Sequence, residues 1–160
     1  MPSGFIIHNV KDALAAALGI LESQQKEVAW LIPPSVHSLA TTLGFFEAMR
    51  TFVKQGGVSR GIVSVSRENI DEIRMSVESG EDIRHSDAIH ELFMYVGDKQ
   101  QSVSSINIGV EEYTLDTPVI AFWSESPTYA EYLLTSFESA WSQAVPAAQR
   151  IEELLAQGGE

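Results

Sequence analysis

The chain has 160 residues, of which 44% are hydrophobic and 20% are charged, and these ordinary globular values exclude a disordered or fibrous protein. Its 22 acidic residues outnumber the 10 Lys and Arg, so the net charge of −12 would repel a phosphate backbone or an acidic membrane surface. Cysteine is absent, which excludes disulfides, thiol catalysis and cysteine-bound zinc. We therefore expect a single domain covering residues 1–160 that contacts neither nucleic acid nor a membrane directly.

The N-terminus carries no basic residue before its short apolar stretch, so it lacks the charge pattern of a secretory signal. No apolar run approaches the roughly 18 to 20 residues that cross a bilayer. Together with the absence of cysteine, these features predict a cytoplasmic protein.

The first half of the sequence alternates predicted helices and strands. Apolar residues at helical spacing predict a helix over 11–25, and the apolar run 28–32 predicts a strand covered on both faces. A helix capped by Ser35 follows and ends at the glycines at 56 and 57. Its predicted inward positions are Val36, Leu39, Leu43, Phe46, Met49 and Val53. A strand over 61–65 and a helix over 66–80 continue a rhythm typical of a parallel sheet.

The second half has a different pattern. Short strands are predicted over 82–85, 92–96, 103–108 and 119–123, and a hairpin turn at 98–101 indicates that this part of the sheet becomes antiparallel. Ser126 and Pro127 begin a long amphipathic helix that Pro146 interrupts. The predicted fold class is α/β, with a mixed, mostly parallel sheet flanked by helices and a long C-terminal helix.

The motifs of the common cofactor and metal sites are missing. The sequence has no phosphate-binding loop, no dinucleotide-binding glycine motif, no His-Glu-x-x-His and no Gly-x-Ser-x-Gly. We therefore predict no cofactor.

Residues 84–91, Arg-His-Ser-Asp-Ala-Ile-His-Glu, form the densest polar cluster. His85 and Asp87 are two residues apart and would share a face of an extended backbone. With His90 and Glu91 nearby, a metal site is one interpretation. Because none of these spacings is specific for a metal, a polar loop between two strands is the simpler interpretation, and we predict no metal site.

Three parts of the sequence occur in the order of a known family: the strand–helix–strand unit 28–65, the Arg84-His85 step, and the C-terminal Phe-x-x-x-Trp at 137–141 followed by Ala-Val-Pro-Ala-Ala-Gln-Arg-Ile at 144–151. Together they resemble the phospholipase D-like sensor domains of archaeal signalling proteins, over about residues 10–153. Such domains occur in sensor histidine kinases and, more distantly, in TrmB-type sugar-responsive regulators. The resemblance implies a homodimer, because superfamily members with one such half build their cleft between two chains.

The catalytic motif of that superfamily is degenerate in this sequence. Active members carry His-x-Lys and an Asp seven residues after the His. The His is the nucleophile that attacks a phosphodiester. If His90 is the motif His, Leu92 stands at the Lys position and Gly97 at the Asp position, with Asp98 one residue late. Since leucine cannot donate a hydrogen bond to a phosphate oxygen, we expect no phosphodiester chemistry and assign no catalytic residue.

The resemblance therefore implies a non-catalytic ligand-sensing or regulatory interaction domain in signal transduction or transcriptional control. Arg84, His85 and His90 are the candidate ligand-binding residues; Arg84 would contact an anionic or hydroxylated ligand, and the histidines would orient it. The expected partners are a second copy of the chain and a small-molecule ligand or signalling protein. The chain would be an excised sensor or a stand-alone version.

Two alternative functions remain open. One is a phosphodiesterase or nuclease that uses His90 in a dimer. The other is a structural dimerisation module, which would hold if side chains filled the cleft.

Overall fold

The computed structural model, which describes residues 4–23 and 26–158, is built around one eight-stranded sheet. The strand order in space is β1-β7-β6-β5-β2-β3-β4-β8. The strands are β1 (Gly4–Asn9), β2 (Glu27–Leu31), β3 (Val58–Val63), β4 (Asp82–His85), β5 (Leu92–Gly97), β6 (Gln101–Ile106), β7 (Pro118–Ser124) and β8 (Val145–Pro146).

The sheet is mixed, which confirms the predicted α/β class, but it is not mostly parallel. Among the described strands, only the β2–β3 and β3–β4 pairs are parallel, and the other five pairs are antiparallel. The hairpin predicted at 98–101 is confirmed: Asp98 and Lys99 both have positive φ and reverse the chain between β5 and β6. The antiparallel part is larger than predicted because β1, which the sequence pattern did not reveal, pairs with β7.

Helices cover both faces of the sheet. They are α1 (Val10–Glu22), α2 (Pro34–Thr42), α3 (Phe45–Lys54), α4 (Ile70–Glu78), α5 (Pro127–Gln143) and α6 (Ala147–Gly158). Strand β2 shows how the faces divide, because Val28 and Trp30 pack into the core shared by α1, α3, α4 and α6, whereas Ala29 and Leu31 pack against α5. The last two positions of the predicted first helix, Gln24 and Gln25, lie outside the described residues.

The long helix predicted after β2 is two helices, and this prediction was wrong in two respects. Gly44, with φ of 94°, separates α2 from α3 in a left-handed conformation that favours glycine. Ser35 is not the cap, because α2 already begins at Pro34 and the Ser35 hydroxyl accepts a hydrogen bond from the Tyr113 N–H. The break changes the helix phase, so the buried residues are His37, Ala40, Phe45, Met49 and Phe52.

The C-terminal segment follows the predicted order. Ser126 caps α5 by accepting a hydrogen bond from the Tyr129 N–H, and Pro127 occupies the first turn. Pro146 lies in β8, a two-residue strand that pairs with β4 and separates α5 from α6. No helix of the described chain is long and apolar enough to cross a membrane.

Candidate functional site

The parallel strands β2, β3 and β4 end at one edge of the sheet, and the predicted site residues lie along it. In open α/β sheets, ligands bind outside the carboxyl ends of the parallel strands. Because β2 and β3 lie between β4 and β5, the loop 86–91 has to cross this edge. It places His85 at the start of the crossing and His90 at its end.

His85 is held by hydrogen bonds on both ring nitrogens. The Val65 N–H donates to Nδ1 at 2.8 Å, so the proton of the neutral ring lies on Nε2, which is 3.1 Å from Asp87 Oδ2. The predicted proximity of His85 and Asp87 is thus confirmed. The Ser64 hydroxyl donates to Asp87 Oδ1 at 2.6 Å, and this bond is the main cause that lowers the pKa of Asp87.

This arrangement does not activate a nucleophile. Ser64 donates to a carboxylate and not to the imidazole, and the imidazole nitrogen that could accept its proton is occupied by the Val65 N–H. The Ser64–Asp87–His85 contacts instead hold the start of the loop against β3.

Arg84 lies on the opposite face of the sheet. Its guanidinium carbon is 4.1 Å from the ring centre of Trp141 in α5, and Nη1 donates to the Trp141 carbonyl oxygen at 2.9 Å. Consecutive residues of a strand point to opposite faces, so Arg84 and His85 do not line one cleft in this chain. Arg60 stacks on the same ring and pairs with Glu138 at 2.6 Å, which makes this a cation–aromatic contact between the sheet and α5.

His90 is half-buried, and its Nε2 atom has no hydrogen-bond partner among the described residues. Burial lowers the pKa of His90, which favours the neutral ring. Asn107, at the end of β6, donates from its side chain to the His90 carbonyl oxygen at 2.9 Å, while its own N–H donates to the Glu91 carbonyl oxygen. This role of Asn107 was not predicted from the sequence.

The other motif positions do not surround His90. Leu92 packs into the apolar core under α5. Asp98 lies beyond the far end of the six-residue β5, roughly 20 Å along the strand, where its carboxylate accepts the N–H groups of Lys26 and Glu27 at 2.6 and 2.8 Å.

A cavity of about 110 Å³ lies on the other side of the sheet, under α1, α2 and α3. Most of its wall is apolar, but the buried side chains of His37, Ser76, Glu81 and Tyr95 also line it. Glu81 and Tyr95 were not found by sequence reasoning, since one precedes a short strand and the other lies in an apolar run. In the described part of the chain, His, Asp and Glu side chains form no group of three or more that could hold a metal ion.

No family model matches the sequence, and no similar sequence is found among curated proteins. Solved structures are similar in fold. Nuc, a phospholipase D family member from Salmonella typhimurium, has a TM-score of 0.68 at 15% identity over 91% of this chain and 98% of its own. NucT from Helicobacter pylori has a TM-score of 0.65 at 8% identity over 91% of this chain and 99% of its own.

A third structure of the same fold is TrmBL2, an archaeal chromatin protein whose structure shows a novel mode of DNA binding. Its TM-score is 0.68 at 13% identity over 89% of this chain and 53% of its own, so the chain spans about half the length of TrmBL2. These likenesses show a phospholipase D-like fold. They also correct one sequence-based prediction: excluding direct nucleic-acid contact from the net charge was wrong, because a DNA-binding chromatin protein contains this fold.

Proposed function

We propose that this chain is a non-catalytic ligand-sensing or regulatory interaction domain with a phospholipase D-like fold. The observation that carries the proposal is that the other two motif positions, Leu92 and Asp98, do not surround His90. Its neighbour Leu92 packs in the α5 core, and the Asp98 carboxylate is bound by backbone N–H groups beyond the other end of β5.

The chemistry of phosphodiester cleavage explains why this arrangement matters. Charge develops on the phosphoryl oxygens in the transition state, and enzymes stabilise it with preorganised cationic donors. Around His90, leucine replaces such a donor, and Arg84 is stacked on Trp141 on the α5 face of the sheet. The His90 Nε2 atom has no hydrogen-bond partner among the described residues but is closed to solvent, so a ligand would reach it only after the side chains around it move.

A homodimer belongs to the proposal and is supported by the surface near His90. Four aliphatic side chains in the loop before β5 and at and after the end of β6 are exposed, and Ile89, next to His90, has 92% of its surface exposed. The others are Ile106, Ile108 and Val110. Exposed aliphatic residues that lie together on a surface are typical of a protein–protein contact, and a second copy would bury these residues across a two-fold axis.

The experiment that tests the proposal is hydrolysis of bis(p-nitrophenyl) phosphate by the purified chain, followed by release of nitrophenol. We expect wild type and His90→Ala to give the same background rate. His8→Ala, which removes an exposed histidine of β1, is the matched control for a contaminating activity. Turnover that survives in His8→Ala and is lost in His90→Ala would establish the phosphodiesterase alternative instead.

DNA binding is a second candidate, supported by the fold that the chain shares with TrmBL2. Its test is the fluorescence anisotropy of a labelled DNA duplex at low salt and at 200 mM salt. Binding that weakens steeply with salt would support it, because such a slope reports phosphate contacts. An unchanged anisotropy at low salt would refute it.

A further inference from the structure

We propose that the cavity under α1, α2 and α3 binds a small neutral molecule with an apolar body and one hydroxyl group. The inference deepens the proposed sensing role and rests on it, but the two can fail separately. Phosphodiester turnover would refute the role, whereas the binding experiment below concerns only the cavity.

The size and lining of the cavity determine the body of the ligand. Its volume is about 110 Å³, and a comparable apolar cavity of about 150 Å³ accommodates benzene. The indole of Trp30 forms part of the floor on the sheet, and Ala40, Phe45 and Met49 form part of the helical wall. A single aromatic ring or a branched aliphatic group fits this space.

The cavity is accessible from the surface. Several of its lining side chains are only half-buried, among them Val36 in α2, Phe46 in α3 and Phe93 in β5. The cavity is partly open, so a ligand could enter it without unfolding of the domain.

The polar side of the cavity is the reason why we expect the ligand to carry a hydroxyl group. Tyr95 is only 7% exposed, and its hydroxyl is buried without a hydrogen-bond partner in the described residues. An unsatisfied buried hydroxyl costs about 1–3 kcal/mol, so a buried tyrosine normally finds a partner. The hydroxyl is itself closed to a water-sized molecule, so a hydroxyl group on a bound ligand would supply this partner only after the side chains around Tyr95 shift.

The neighbouring polar groups favour a neutral ligand over an anion. Glu81 is 8% exposed and accepts a hydrogen bond from Ser59, which in turn accepts one from the Trp30 indole N–H. Burial is the main cause that raises the pKa of Glu81 above its ordinary value. His37 already pairs with Glu72. An anionic ligand would lose its hydration here and gain no free cationic partner.

The test is a titration of the ¹⁵N-labelled protein with phenol, toluene and benzoate, followed at the Trp30 indole N–H signal. We expect saturable shifts with phenol, weaker binding of toluene, and no binding of benzoate. Tyr95→Phe should weaken phenol binding about three- to tenfold, the value of one hydrogen bond, and leave toluene unaffected. Tyr129→Phe is the matched control, because it removes a hydroxyl on the α5 face that is bonded to Ser104.

A second variant tests the cavity without removing a polar group. Ala40→Leu places a larger side chain in the cavity and should abolish binding of phenol and toluene in a protein that remains folded by circular dichroism. Three results would overturn the inference: no saturable shift with phenol, equal phenol affinity in wild type and Tyr95→Phe, or benzoate binding as tight as phenol binding.

Discussion

Replacing Gly61 with alanine tests the packing that forms the floor of the cavity. Gly61 in β3 lies opposite Trp30 in β2, and the indole covers the glycine. A Cβ atom at Gly61 would lie 2.0 Å from both Cε2 and Cζ2 of the ring, far inside van der Waals contact.

The ring cannot move away easily. Its Nε1–H donates to Ser59 at 3.1 Å, Ser59 donates to Glu81 at 3.0 Å, and the His37 ring lies 5.6 Å from the indole centre. Overpacking a core typically costs about 1–3 kcal/mol. Since the clash is with a fixed ring, we expect about 3 kcal/mol for Gly61→Ala, which lowers Tm by about 6–12 °C in a protein of this size.

Urea and thermal unfolding followed by circular dichroism would measure this loss. Gly19→Ala is the matched control, because Gly19 lies on an exposed face of α1 with no atom within 4 Å of an added Cβ. The same substitution there should stabilise the protein by about 0.5–1 kcal/mol, because alanine is the better helix former. A Gly61→Ala protein within about 0.5 kcal/mol of wild type would refute the packing argument.

Three further predictions concern single interactions, each measured by urea unfolding. Asp98→Ala should cost about 2–3 kcal/mol, because its carboxylate accepts the Lys26 and Glu27 N–H groups, and a loss below 0.5 kcal/mol would contradict this role. Ser126→Ala should cost about 1 kcal/mol through the lost cap of α5, and an unchanged midpoint would exclude the cap contribution. Because the folded pKa of Glu81 is raised, wild type should lose stability as pH rises above the unfolded value of about 4.5, by at most about 1.4 kcal/mol per pH unit. Glu81→Gln should therefore gain stability relative to wild type over that range, and parallel pH profiles would contradict the raised pKa.

The sequence predicted those elements that depend on interactions between residues close together in the chain. The Ser126 cap, the turn at Asp98 and the strand after Gly80 were identified because each depends on a few neighbouring residues. Strand β1 was missed because its pairing with β7 is formed more than a hundred residues away. The residues of α2 and α3 that face the core were mispredicted because only the conformation of Gly44 reveals the break between the two helices.

The candidate site was less predictable because it depends on which face of the sheet each residue occupies. Arg84 and His85 are adjacent in sequence but lie on opposite faces. The contact of His85 with Asp87 could be predicted from their spacing, whereas the contact of Ser64 with Asp87 requires β3 and β4 to be neighbours. The role of Arg84, His85 and His90 in ligand binding stays a prediction.

The measurement that tests the central claim most directly is native mass spectrometry of the purified chain, stepped from gentle to denaturing conditions. It reports the oligomeric state and any co-purified small molecule in one experiment. The proposed sensing role predicts a dimer that releases a defined small molecule on denaturation. A ligand-free monomer would contradict both the two-fold contact near His90 and the ligand-sensing function.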